Sequence, residues 1–138
     1  RTINGGISQG KLIGGNLSVL CSLIGSIYEP DWANSILFLE EVGEDIYRID
    51  RLMSQLKLSG VLDEINGVIF GECVACSQNK NSLSLDEVLD HYIKPLNVPA
   101  YYGAMISHDS LNTTVPVGIS AEMNADTYSF RLLEAAVY

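Results

Sequence analysis

A chain of 138 residues with 47% hydrophobic and 18% charged residues has room for one domain with a real core and does not carry the composition of a disordered segment. Seventeen acidic residues against eight basic ones give a formal net charge of −9, and no Lys/Arg cluster offsets it locally. Such a surface repels phosphate backbones and anionic lipid, which excludes nucleic-acid binding, and no apolar run approaches the roughly 20 residues that span a bilayer, so no membrane partner is expected.

The first residues, "RTINGGISQGKLIGGN", read as the inside of a longer protein, with residues 1–10 a Gly-rich interdomain connector. Asn16 then caps a short helix, "LSVLCSLIG", that Gly25 closes. Ser35 to Leu39 is a continuous apolar run of strand length, as expected for a strand buried on both faces. Past Gly43, Ile46, Ile49, Leu52, Met53 and Leu56 recur at helical spacing up to Gly60. A second buried strand surrounds Val68 to Phe70. Ser84 and Glu87 form a capping box ahead of "LDEVLDHYIK", and "AYYGAMI" reads as a third strand. The stretch "VGISAEMNADTYSFRLLE" alternates as a β-hairpin turning near Asn124 to Asp126. Helices alternating with apolar strands, followed by paired strands, give an α/β class with a mixed sheet.

Candidate chemistry lies at the ends of the apolar strands. There is no GxSxG elbow, no phosphate-binding GxxxxGK[ST], no HExxH and no GxGxxG after a strand. Gly14-Gly15 precedes a helix, but close packing of the entering chain explains two glycines better than an anion cradle. Glu40 closes the first strand, Glu72 follows the second and His108 lies just past the third. In open α/β sheets functional groups collect beyond the carboxyl ends of strands. A Glu and a His converging there make a general-base pair, with the carboxylate fixing the imidazole tautomer. The bland alternative, a loop-starting acid and a solvated histidine, stays open on pattern alone. Glu40 is the last residue whose position the strand fixes, whereas Glu41 is expected to begin a solvated loop. Asp109 suits a turn as well as an orienting role. Ser18, inside the first helix, and Ser107, beside His108, are not nucleophiles on strained turns, so a hydrolase site would need its serine from elsewhere.

Cys21, Cys73 and Cys76 make an odd count, which argues against a disulfide framework and for a reducing, cytoplasmic setting. The CxxC of "GECVACS" supplies two of the four ligands a structural zinc site takes, and neither His91 nor His108 completes it, so no metal is expected.

The combined pattern "LIGGNLSVL…ILFLEEVGE…YRIDRLMSQLKLSGVLD…GVIFGE…GAMISHDS…VPVG" resembles the C-terminal domain of the bacterial LD-carboxypeptidases, serine peptidases that include the microcin C self-immunity peptidases. The resemblance covers about residues 10 to 125. It implies a swivelling β/β/α-type domain over 1–138, joined in a full-length homodimeric enzyme to an N-terminal domain that carries the nucleophilic Ser. It also implies a Ser-Glu-His triad with the Glu on Glu40 and the His on His108, and cofactor-free hydrolysis. The implied substrate is the terminal D-Ala of murein tetrapeptides, with Glu72 a candidate for the substrate's amino group. Ser107 stands where many relatives have glycine. Arg48, Asp50 and Arg51 read either as locally paired helix charges or as an order-giving group behind Glu40. Two alternatives accompany this reading: a peptidase acting on a microcin C-type peptide–nucleotide, and a non-catalytic binding module on the same fold.

Overall fold

The computed structural model describes residues 1–110 and 112–137. The chain order is β1 (Thr2–Asn4), β2 (Ile7–Asn16), α1 (Leu17–Leu23), β3 (Ile36–Val42), α2 (Ile46–Leu58), α3 (Val61–Glu64), β4 (Gly67–Val74), α4 (Leu85–Ile93), β5 (Ala100–Tyr102), β6 (Ser120–Asn124) and β7 (Ser129–Leu132). One mixed seven-stranded sheet runs β1-β5-β4-β3-β2-β6-β7. Strands β2 to β5 are parallel, while β1, β6 and β7 add antiparallel edges. This is the α/β class with a mixed sheet that the element pattern implies.

The continuous apolar run of β3 exists because both its faces are covered. Leu37 and Leu39 join the larger core under α1, α2 and α4, with Ile49, Met53, Leu56, Val88 and Leu89. Ile36 and Phe38 point the other way, into a second core with Ile69, Tyr101, Ala104, Ile106 and Met123. The sheet curls around this second core. Thr2 Oγ1 donates to the Ala125 carbonyl at 2.8 Å, and the Tyr101 and Tyr128 rings lie 6.2 Å apart, which brings β1 and β5 up to the β6–β7 turn.

The caps follow the sequence signals. Asn16 accepts from Val19 N–H, and Ser84 and Glu87 form the full capping box. The stretch read as a connector instead holds β1 and the start of β2. Gly6, at φ +115, turns the chain between the two strands, whereas Gly10 and, further along β2, Gly14 serve close approach. A Cβ on Gly10 would sit 2.3 Å from the Asn34 carbonyl oxygen, and one on Gly14 1.8 Å from that of Phe38. The third strand is shorter than its apolar pattern. It stops at Tyr102 because Gly103 takes φ +94 and turns away, its N–H and that of Ala104 both donating to the Phe70 carbonyl. Ala104 and Ile106 are still buried, as loop residues.

A Glu40–His108 pair at the carboxyl end of the sheet

The parallel strands place Asn16, Glu40, Glu72 and the loop after Tyr102 along one end of the sheet. Because side chains alternate along a strand, the adjacent acids of β3 face opposite ways. Glu40 continues the Ile36–Phe38 face toward the loop that follows Tyr102, and Glu41 continues the Leu37–Leu39 face toward α1.

Glu40 Oε2 lies 2.7 Å from His108 Nδ1. The carboxylate side chain is 8% exposed and the imidazole 54% exposed, so the acid is fixed in the sheet and the ring projects outward. An ionised carboxylate only accepts, so Nδ1–H donates and Nε2 is left as the free acceptor. That is the tautomer a general base needs. A depression of about 300 Å³ lined by Glu40, Ile106, Ser107, His108, Asp109 and Asn112 opens beside the pair.

Two local devices hold the histidine there. The register shifts between Leu39↔Phe70 and Glu41↔Cys73, so Gly71 and Glu72 together oppose Glu40. This β-bulge leaves Glu72 exposed and frees the backbone of β4 to receive the histidine loop. Glu72 N–H donates to the Ile106 carbonyl at 3.3 Å. A Cβ on Gly71 would sit 1.8 Å from that same oxygen. Gly71→Ala therefore forces the loop off β4. Expected are a loss of about 1–3 kcal/mol of stability in denaturant titration and a weakened Glu40–His108 contact, visible as a shifted His108 ring resonance.

The loop then closes on itself. Ile106 N–H donates to the Ala104 carbonyl at 2.7 Å, Thr113 N–H to that of Met105 at 2.7 Å, and Ser107 N–H to Asn112 Oδ1 at 3.4 Å. Asp109 N–H donates to Ser107 Oγ at 3.0 Å, and Asp109 Oδ1 accepts from Ser110 N–H at 2.6 Å. Asp109 is thus a turn residue. Ser107 is buried and is not among the non-glycine residues with positive φ, so a serine fits this position without strain.

Glu41 overturns the expectation of a solvated loop. It is 2% exposed, and its two oxygens accept four hydrogen bonds: from Asn16 Nδ2 at 2.8 Å, Ser18 N–H at 2.9 Å, Ser18 Oγ at 2.7 Å and Val42 N–H at 2.9 Å. All four partners are donors, so the group acts as a carboxylate satisfied on both oxygens. It ties the entrance of α1 to the end of β3, one residue from Glu40. The only trace of this in the sequence is the polar pair Asn16 and Ser18 around a short helix start.

The remaining candidates separate. Glu72 stands exposed on the bulge. Burial raises the Tyr102 hydroxyl pKa, and the nearby Glu72 charge adds to that. Arg48 pairs with Glu44 at 3.5 Å, one helical turn away, and Asp50 accepts from Tyr92 O–H on α4 at 2.9 Å. These are local and helix–helix roles. His91 packs edge-on against Tyr92.

The chain is 42% identical over 122 residues to the probable murein peptide carboxypeptidase of Bacillus subtilis, covering 86% of this chain and 38% of that protein. It is 33% identical over 129 residues to the microcin C7 self-immunity protein MccF of Escherichia coli, covering 91% and 37% respectively. Among solved structures it superposes on wild-type MccF in the apo state with a TM-score of 0.90 at 28% identity, covering 99% of this chain and 41% of that one. With the muramoyltetrapeptide carboxypeptidase of Oxalobacter formigenes the TM-score is 0.83 at 28% identity, covering 93% and 45%. The chain spans about two-fifths of the length of the curated relatives it matches. The LD-carboxypeptidase C-terminal domain model matches residues 9–123, so the chain belongs to the LD-carboxypeptidase family as its C-terminal domain.

Proposed function

We propose that this chain is the C-terminal part of a serine LD-carboxypeptidase and contributes the Glu and His of a Ser-Glu-His triad. The observation that carries the reading is the 2.7 Å contact between a sheet-fixed carboxylate and an outward-facing imidazole at the carboxyl end of the parallel strands. His108 Nε2 takes the proton of a serine hydroxyl as its oxygen attacks the carbonyl carbon. It then returns the proton to the amine of the departing D-amino acid as the C–N bond breaks. Glu40 holds the tautomer and stabilises the imidazolium. The serine and its oxyanion donors belong to an N-terminal nucleophile domain, for which the greater length of the relatives leaves room, and the chain alone is inactive. The activity is cytoplasmic, and the full-length enzyme is a homodimer.

The substrate is a murein tetrapeptide losing its terminal D-Ala, as the relative named a probable murein peptide carboxypeptidase suggests. Glu72, exposed on the bulge beside the pair, offers a carboxylate to the peptide's free amino group. A second reading, hydrolysis of a microcin C-type peptide–nucleotide, draws on the superposition on MccF. The test is release of D-Ala from murein tetrapeptide by the intact protein, run beside a processed microcin-type substrate. Turnover of the tetrapeptide is expected. Cleavage confined to the peptide–nucleotide would transfer the assignment to the second reading.

A further inference from the structure

The CxxC at the end of β4 takes no part in the Glu40–His108 chemistry, yet the fold holds it in a defined shape. Cys73 is the last β4 residue but one and pairs in register with Glu41, and Cys76 follows after Ala75, which turns the chain at φ +53. Both flanks are pinned to the β3–α2 junction. Gly43 N–H donates to the Val74 carbonyl at 2.9 Å, Ile46 N–H to that of Ser77 at 3.0 Å, and Ser77 N–H to that of Glu44 at 3.3 Å. The Cys76 side chain lies close enough to that of Cys73 to act on it directly, as a charge and as a hydrogen-bond partner. Both thiols are half-buried against the helix-side core. Cys21 is separate, buried between α1 and α2 with its Sγ donating to the Leu52 carbonyl at 3.6 Å.

We propose that Cys73 and Cys76 form a dithiol site that closes reversibly to an intrachain disulfide, with a low-molecular-weight disulfide of the glutathione class as oxidant. Cys76, in the loop, attacks one sulfur of the oxidant as thiolate and expels the first thiol. Cys73, in the strand, then loses its proton and attacks Cys76 Sγ, expelling the second thiol. Two protein thiols are oxidised and one small disulfide is reduced. Burial and then the neighbouring Cys76 push the Cys73 thiol pKa up, which keeps it protonated until the mixed disulfide is adjacent. It also makes Cys73 a poor leaving group, so the closed form resists reduction. Closure ties the end of β4 just past the bulge that faces Glu40. The proposal does not depend on the assigned peptidase activity.

The test is to expose the folded chain to excess oxidised glutathione at mildly alkaline pH, then denature it, alkylate the remaining thiols and map the peptides by mass. Expected is a Cys73–Cys76 bond with loss of two hydrogens, no retained glutathione, an alkylated Cys21 and full reversal by dithiothreitol. A stable glutathione adduct on Cys73 or Cys76 or a bond to Cys21 would overturn the proposal. So would two thiols that stay alkylatable in the folded chain while the same oxidant consumes them in denaturant.

Discussion

If the proposed triad holds, Glu40→Gln in the intact enzyme is expected to lower kcat by about 10⁴-fold, on the scale of the corresponding acid-to-amide change in a serine-protease triad, with KM nearly unchanged. The side chain is isosteric, sits at the strand end and has its contact to His108 at the rim, so the fold survives. What changes is the proton. Glutamine can offer its NH₂ to Nδ1, which moves the imidazole proton to Nε2 and leaves no base for the serine of the proposed triad. The imidazolium formed in the transition state also loses its counter-charge. An unchanged kcat would remove Glu40 from the mechanism, whatever the geometry.

The largest stability effect belongs to the neighbouring acid. Glu41→Ala strips the partners from Asn16 Nδ2, Ser18 N–H, Ser18 Oγ and Val42 N–H at once, in a place where the carboxylate is 2% exposed. Each buried donor left unpaired costs about 1–3 kcal/mol, and the expected total is about 3–5 kcal/mol, the scale for breaking a buried charged contact. That is a large share of the roughly 5–15 kcal/mol by which domains are stable. Glu41→Gln keeps the volume and one acceptor oxygen and should lose about half as much. Urea titration of the chain reads both changes as shifts in midpoint at constant slope. A loss below about 0.5 kcal/mol for the alanine variant would be that of an ordinary surface substitution and would contradict the role given to Glu41 here.

These two carboxylates show what local pattern carries and what it does not. The apolar run into Glu40 marked a strand buried on both faces, and the position of His108 after the next apolar segments marked the same sheet end. Both follow from periodicity and from the rule that sites collect beyond strand carboxyl ends. Glu41 was misread because a charge after a strand normally meets solvent, and only tertiary packing supplies the α1 donors that make its burial tolerable. The bulge at Gly71 and Glu72 was equally invisible. One extra residue in a ladder leaves no periodic signature when the strand is apolar on both faces, and the glycine signals only in retrospect, through its approach to Ile106. β1 and β2 are not legible in the sequence, because glycines that admit a neighbouring strand look, in one dimension, the same as glycines that turn a loop. Ala104 and Ile106 erred in the opposite direction, their apolarity serving a buried loop rather than a strand.

The Glu40–His108 contact itself can be observed in the isolated chain, without substrate or nucleophile. Its two histidines, His91 and His108, are resolvable by ¹⁵N-detected NMR after selective labelling. With the imidazole neutral, His108 should carry its proton on Nδ1 and show an unprotonated Nε2, and Glu40→Gln should abolish that pattern while leaving His91 unmoved. A His108 protonated on Nε2, with resonances indifferent to Glu40→Gln, would contradict the pairing on which the proposed triad rests.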